Sequence, residues 1–356
     1  MSRPKVAIDA RLIGGTSTGD SSYWFGLMYG LSKLNLDLDF LFISNAPRPA
    51  LIPETPNFSW IELPMKSSRW WSYVSFPLKA KKLGAGAIHT QYTLSPLAGS
   101  RGITTIHDVS FLIGPEWFKV KDRLILSKMV HRTAKIARRI IAVSNTCKGE
   151  IERLVPDSRG KVVPIYNGLP PWVQKNDNPG SAINELGVTQ PYLLTVGTQW
   201  PRKNMQLAIE AASLAGTQIV VTGKSGWGNQ AAGSHVTPVG YVSNEQLCAL
   251  YSGASLYLAP SKHEGFGIPV IEAFACGCPV LSSSGGALPE VVGDAGVVEP
   301  SWEPEQWART IQSMLADSSK LQALRQRGFE RVKQFDWVES ARQTADVYRE
   351  VLLDRP

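Results

Sequence analysis

The chain predicts an α/β protein of two doubly wound domains, and three observations carry that prediction. A short apolar run, a Gly-rich loop and a helical stretch follow one another at residues 5–9, 14–19 and 21–34. The same order restarts at residues 192–196, Gly197 and 204–215, after a polar stretch at 174–181 that reads as a linker. At 356 residues the chain also exceeds what one ordinary core organises. The expected domains are residues 1–172 and 173–337.

Composition narrows the class. With 43% hydrophobic and 19% charged residues, the chain reads as soluble and globular. It has no apolar run of membrane-spanning length, and its first residues lack the apolar centre of a signal peptide, so a cytosolic protein is expected. Cys147, Cys248, Cys276 and Cys278 contain one Cys-x-Cys pair but no second cluster, so they read as small buried hydrophobes and no metal is expected. The net charge of +7 is uneven: residues 1–170 hold 23 Lys+Arg against 12 Asp+Glu, and residues 171–356 hold 14 against 18. A basic half suits an anionic partner, with nucleic acid, lipid head groups and acidic glycans all open at this level.

In the first domain, the strand at 5–9 leads into Gly14 and Gly15, whose backbone can approach a phosphate or a hydroxyl. A second strand follows at 38–43. Beside it, Asp37 and Asp39 have the spacing of a paired-carboxylate metal motif, but without supporting residues they read as solvated charges. Residues 66–82 interleave Lys66, Arg69, Lys79, Lys81 and Lys82 with Trp70, Trp71, Tyr73 and Phe76. That mixture suits a membrane interface; the competing reading packs the aromatics inward, and Pro77 is expected to interrupt the helix. Strands at 87–89 and 103–106 each end in a histidine. His107, at a strand's carboxyl end, is a ligand-contact candidate, whereas His89 reads as a satisfied structural residue. A basic helix at 122–139, a strand at 140–143, a cap at Ser144 and a strand at 162–165 complete the domain.

In the second domain Arg202 and Lys203 stand just ahead of a helix, where the macrodipole disfavours cations, so they are expected to neutralise a ligand such as a diphosphate. Strands at 218–222 and 256–259 follow, with Gly223 and the Tyr241–Val242 pair in loops placed to border a nucleotide. Residues 261–280, SKHEGFGIPVIEAFACGCPV, are the richest stretch. Gly265, Phe266 and Gly267 free the backbone, Pro269 suits a first helical turn, and the helix is expected to start at Phe266 or Gly267, with Ile268 in its opening turn. Ile268, Ile271, Ala275 and Pro279 are expected to face a core, leaving Glu272 on another face and Glu264 in the loop. Amides and a positive helix end there make an anion site flanked by two carboxylates, the chemistry of a nucleotide sugar. Gly285 and Gly286 form a further turn, and helices are expected at 302–315, 319–335 and 336–353.

This stretch resembles the signature of the retaining glycosyltransferases of the GT-B class, family 4. IDARLIGGTSTG at 8–19, TTIHDVSFL at 104–112, IYNG at 165–168 and LTVGTQWPRKN at 194–204 resemble further motifs of that family in order and spacing, over nearly the whole chain. The resemblance implies two Rossmann-like domains facing across a cleft, with a tail helix at about 338–356 crossing back to the first. It implies that Gly14 and Gly15 lie near donor and acceptor and that His107 contacts the transferred sugar. It also implies that Arg202 and Lys203 hold the diphosphate with the amides of Gly265, Phe266, Gly267 and Ile268. Glu264 then takes the sugar hydroxyls and Glu272 those of the ribose, while Gly223, Tyr241 and Val242 border the nucleotide. Retention of configuration, no metal and no cofactor beyond the donor follow from the same resemblance. The donor is expected to be GDP-mannose, or a UDP-hexose as the second choice. The acceptor is a glycan or lipid-linked glycan in surface polysaccharide synthesis, reached at an anionic inner membrane face, with no role for nucleic acid. Asp20 and Ser21 depart from the family's loop pattern, which leaves the acceptor open. A nucleotide-sugar 2-epimerase, a glycogen-phosphorylase-type enzyme and a catalytically inactive carbohydrate-binding module are the rival readings.

Overall fold

A computed structural model describes residues 3–13, 19–50, 52–65, 67–224, 226 and 233–353. Gly14, Gly15, Lys66 and Trp227 therefore lie outside the described residues. The chain divides into two units, one of residues 1–168 with 336–356 and the other of residues 169–335.

In the first unit the described residues form a seven-stranded parallel sheet of β1 (Lys5–Asp9), β2 (Asp39–Ser44), β3 (Phe58–Glu62), β4 (Ala85–Gln91), β5 (Gly102–Ile106), β6 (Arg139–Ala142) and β7 (Val162–Pro164). The order is β3-β2-β1-β4-β5-β6-β7. β5 is buried along its whole length and β4 along all but its last residue, as expected of strands covered on both faces. The order reverses between β1 and β4, which opens a crevice at their carboxyl ends. β3 had no counterpart in the sequence reading; its half-exposed edge position leaves it a weak apolar signal.

The C-terminal helix Trp337–Leu353 belongs to this unit and packs on the helix Gly19–Ser32. Gly26 and Gly30 make that packing possible, because a Cβ on either would overlap Trp337. Gly168 meets Trp337 in the same way, so the first unit ends there, four residues before the boundary read at 172, and the chain returns at Asp336.

Pro77 does not break its helix. Residues 68–82 run on as Ser68–Trp70, a π-helical turn at Trp71–Ser75, and Phe76–Lys82. The wide turn absorbs the missing proline N–H: the Phe76 N–H reaches back to the Trp71 carbonyl, and the Ser95 hydroxyl donates to the Tyr73 carbonyl at 2.6 Å. Trp71 and Phe76 are buried and stacked, while Trp70 and Leu78 are exposed beside Arg69 and Lys79. Asp37 is engaged by Arg349 at 2.9 Å.

The second unit holds, over its described residues, a six-stranded parallel sheet of β8 (Leu193–Val196), β9 (Ile219–Thr222), β10 (Val236–Gly240), β11 (Leu256–Ala259), β12 (Val280–Ser283) and β13 (Val297–Glu299). Its order, β10-β9-β8-β11-β12-β13, reverses between β8 and β11. Leu193, Ile219, Leu258 and Leu281 from the sheet meet Ala208, Trp307, Ile311 and Met314 from the helices Met205–Leu214 and Pro304–Ala316 in one core. All four cysteines are free and buried.

Candidate active site

The charged residues singled out from the second half converge where β8 and β11 part. Gly197 follows β8, and a Cβ at Gly223 beyond β9 would overlap the Gly197 carbonyl, so the two strand ends touch only because Gly223, at φ 136°, is glycine. The chain then makes a 3₁₀ turn at Pro201–Lys203, and Asn204, in the left-handed region at φ 48°, turns it into the helix Met205–Leu214. That turn aims Arg202 and Lys203 at the loop after β11. The Arg202 guanidinium donates to the His263 carbonyl at 2.6 Å and to Glu264 Oε2 at 3.2 Å, and Lys203 Nζ donates to Glu264 Oε1 at 2.6 Å. Ser261 Oγ adds a bond to Oε1 at 2.5 Å. The three charged side chains are only 12–16% exposed.

Burial alone would raise the Glu264 pKa, but the Lys203 and Arg202 charges and the Lys203 and Ser261 hydrogen bonds outweigh it and hold the carboxyl at about 2. The Gly285–Gly286 turn braces this loop. Ser283 Oγ donates to the Ser261 carbonyl, the Ala287 N–H to the Glu264 carbonyl, and a Cβ on either glycine would overlap loop backbone.

The helix starts at Ile268, one or two residues later than expected, because Gly267 takes the left-handed cap position at φ 103° and Pro269 follows inside the first turn. No side chain caps it. Its first amides are the groups that would meet an anion. The Phe266 ring is buried edge-on to Phe335 at 5.4 Å. Gly265 is buried beside it.

The expected facing of this helix is corrected. Val270 to Phe274 are all buried, whereas Ile268 and Ala275 are half-buried: Phe274 meets Gly328 of the helix Ser318–Val332 on one side, and Glu272 meets Tyr251 of the helix Asn244–Gly253 on another. Glu272 is 8% exposed, and its Oε2 accepts a 3.1 Å hydrogen bond from Tyr251. Burial raises its pKa to about 7 against the lowering effect of that bond. Tyr251, Ser261 and Ser283 escaped the sequence reading; of these only Ser261 lay inside a quoted motif. At the far loop, Val242 is buried and Tyr241 is 59% exposed, with Lys224 Nζ 5.2 Å from its ring.

In the first unit His107 follows β5, half-buried between the rings of Tyr23 at 4.9 Å and Tyr92 at 5.6 Å. Beneath it the Tyr23 hydroxyl and His89 Nε2 both meet Thr105 Oγ1, at 2.8 and 2.9 Å, and His89 Nδ1 meets the Tyr348 hydroxyl at 2.7 Å. Burial, then the neighbouring His107, lowers the His89 pKa to about 3, so it stays neutral and structural. Among the described residues no cluster of His, Cys, Asp or Glu is placed to hold a metal ion, and no helix is long and apolar enough to cross a membrane.

Both halves of the chain are similar to known proteins. Residues 181–331 match the family described as Glycosyl transferases group 1, and residues 21–172 match Glycosyltransferase Family 4. The chain is 32% identical over 272 residues to the O-antigen chain mannosyltransferase B of Escherichia coli, covering 70% of each chain. Its fold is similar to sucrose-phosphate synthase from Thermosynechococcus elongatus at a TM-score of 0.74, with 23% identity over 99% of this chain and 100% of that one. It is similar again to HepE from Anabaena, solved with UDP-glucose, at a TM-score of 0.72, with 16% identity over 97% and 99% of the two chains. The chain has the GT-B architecture of two parallel-sheet, Rossmann-like domains, which sucrose-phosphate synthase shares. The match across both halves and the 32% identity with a relative covered over 70% of its length place the chain in the family 4, group 1 glycosyltransferases.

Proposed function

We propose that this glycosyltransferase moves a hexose from a nucleotide diphosphate sugar to a glycan or lipid-linked glycan in the synthesis of a surface polysaccharide, with retention of configuration and without a metal. The observation that carries the reading is the convergence of Arg202, Lys203 and Glu264 at the β8/β11 switch point, beside a buried Glu272. Two cations held on one carboxylate are the groups that a diphosphate would draw to itself. As the donor enters, Arg202 and Lys203 turn from Glu264 to its phosphates, and the freed carboxylate accepts the sugar hydroxyls. Glu272 accepts the ribose hydroxyls.

In the transfer the acceptor oxygen bonds to the anomeric carbon while the bond from that carbon to the phosphate oxygen breaks. The acceptor proton passes to the departing phosphate on the same face. Arg202, Lys203 and the amides of Gly267 and Ile268 stabilise the charge that grows on the leaving group, the part a metal would otherwise take. His107 binds a hydroxyl of the transferred sugar, as the family resemblance implies.

The mannosyltransferase relative supports mannose, with GDP-mannose as the first donor, and its O-antigen name supports a surface-polysaccharide acceptor. The UDP-glucose complex of HepE supports a UDP-hexose as the second. The basic first half, with Trp70 and Leu78 exposed beside Arg69 and Lys79, supports contact with an anionic membrane surface.

The test is thermal denaturation and calorimetry of the chain with GDP, UDP, ADP and TDP and their sugars, repeated on Glu272→Ala. Selective stabilisation by one nucleotide, lost in the variant, is the expected result. Stabilisation by none of them sinks the donor site. Turnover of a nucleotide sugar to its epimer without acceptor would replace transfer by 2-epimerisation.

A further inference from the structure

The first unit carries a pocket of about 320 Å³ that the donor site does not use. Asp9, Asn45 and Gln91, at the ends of β1, β2 and β4, line it together with Arg11, Trp24 and Ser68. It sits at the crevice where the strand order reverses between β1 and β4, the place where a doubly wound sheet takes its ligand. Its size falls at the lower end of the ~300–1,000 Å³ of small-molecule sites, which suits one ring system.

Arg11 sets the chemistry. Its Nε donates to Asp9 Oδ1 at 2.9 Å and its Nη2 to Asp9 Oδ2 at 2.7 Å. Nη1 donates to Ser68 Oγ at 3.1 Å and to the Ser68 carbonyl at 3.3 Å. The guanidinium lies over the Trp71 ring at 4.1 Å, and that indole is itself tied to the Leu63 carbonyl at 2.9 Å. The group is thus fixed in place before any ligand arrives, and its charge is already matched by a carboxylate only 13% exposed.

That pairing decides the class of ligand. A phosphate or a uronate needs a cation whose charge is not already answered, and it would have to sit against Asp9. Of the five guanidinium N–H groups, one on Nη2 has no partner among the described residues, and Asp9 Oδ2 beside it accepts only one bond there. A donor next to an acceptor matches two vicinal hydroxyls. The remaining polar walls, Asn45, Ser68 and Gln91, are neutral, while Leu12 and the Trp24 edge add apolar surface for a ring's C–H face.

We propose that this pocket is the acceptor subsite for one uncharged, hydroxyl-bearing sugar ring, held by the Asp9–Arg11 pair. The proposal rests on the reading of the first unit as the half of the glycosyltransferase that holds the acceptor. Any anionic part of the acceptor, such as a lipid-linked phosphate, then binds elsewhere on the basic first unit.

The test is saturation-transfer NMR on the full chain with the methyl glycosides of mannose, glucose, galactose and N-acetylglucosamine, against mannose 6-phosphate and inorganic phosphate as competitors. At least one neutral glycoside is expected to bind, and mannose 6-phosphate about tenfold more weakly. Arg11→Gln and Asn45→Ala should each weaken the glycoside by about tenfold, as the loss of one or two hydrogen bonds predicts, with the nucleotide thermal shift unchanged. Asn45 is exposed, so its variant serves where Arg11→Gln fails to fold. Preference for mannose 6-phosphate, displacement by phosphate, or no signal from any glycoside overturns the proposal. Loss of nucleotide binding in the unaltered chain would instead overturn the donor site.

Discussion

The two sheets part at equivalent places, between β1 and β4 in one unit and between β8 and β11 in the other, and each parting carries a carboxylate bound by a cation. The balance differs. Among the described residues Asp9 pairs with one cation, Arg11, while Glu264 pairs with two, Arg202 and Lys203. On the proposed function, the shared topology sets where each ligand binds, and the local charged residues set which ligand. The strands agree in direction and burial, and a few loop residues separate a site suited to hydroxyls from one suited to a diphosphate.

Breaking the charge balance on each side gives the largest contrast. Glu264→Ala leaves two cations, each under a fifth exposed, without their carboxylate, and is expected to lower stability by about 3–5 kcal/mol. Asp9→Ala strands a single guanidinium that keeps its Ser68 bonds and its Trp71 stack, so the loss there should be smaller, about 1–3 kcal/mol. Denaturant melts of both variants beside the parent make the comparison. Equal losses would show that the second cation adds nothing to the strain of an unpaired site.

Removing the cations one at a time asks what the second is for. Lys203→Met leaves Arg202 to hold Glu264, so the fold should survive while the transfer rate falls about 10²–10³-fold, the range for one lost donor to a developing negative charge. Steady-state kinetics with saturating nucleotide sugar reads this directly. A change in KM with the turnover rate intact would mean that Lys203 holds the ground state and not the leaving group.

Much of this site was legible because it depends on residues close in sequence. Glu264, Gly265, Phe266, Gly267 and Pro269 spell a loop and a helix start on their own, and Arg202 and Lys203 stand out as cations at a helix N-terminus. The pairing of Lys203 with Glu264 spans 61 residues and follows from the order of β8 and β11, which periodicity does not give. The core facing expected of Ile268 and Ala275 failed for a related reason: the helices Asn244–Gly253 and Ser318–Val332 that pack on Glu272 and Phe274 come from distant parts of the chain. The fold divides the same way. Alternating strands and helices were plain, but Gly26 and Gly30 showed their use only once Trp337 was seen against them. Asp9 and Arg11 lie inside the quoted motif at 8–19, but the Asp9–Arg11 pocket was not legible from it, because the other walls come from the ends of β2 and β4 and from the helical residue Ser68, far apart in sequence.

The pH dependence of donor binding separates the two sites further. Glu272 has its folded pKa raised from 4.5 to about 7. The neutral carboxyl therefore favours the fold below about 4.5, and that contribution is lost as the pH rises through about 7. Ribose hydroxyls donate to the ionised form, so nucleotide-sugar affinity should strengthen by about tenfold between pH 6 and 8. The intact diphosphate diester does not titrate there, which makes the nucleotide sugar a better ligand than the free diphosphate. Glu272→Gln should flatten the profile, and calorimetry across that range checks it. Glycoside binding at the first crevice should stay level over the same interval, and a matching slope there would mean that the profile reports on the fold and not on Glu272.

The smallest expected effect lies in a single hydroxyl. Tyr251 donates to Glu272 Oε2 at 3.1 Å, and that bond favours the carboxylate against the burial that disfavours it. In Tyr251→Phe the carboxyl keeps its burial and loses its donor, so the midpoint of the affinity profile should move upward by about half to one pH unit, equivalent to roughly 1 kcal/mol. Tyr348→Phe is the matched change in the first unit. It takes the partner from His89 Nδ1, a ring that stays neutral, so it should cost stability without shifting that midpoint. A shift in both variants would trace the profile to loosened packing, and a shift in Tyr251→Phe alone would assign it to the Glu272 carboxyl.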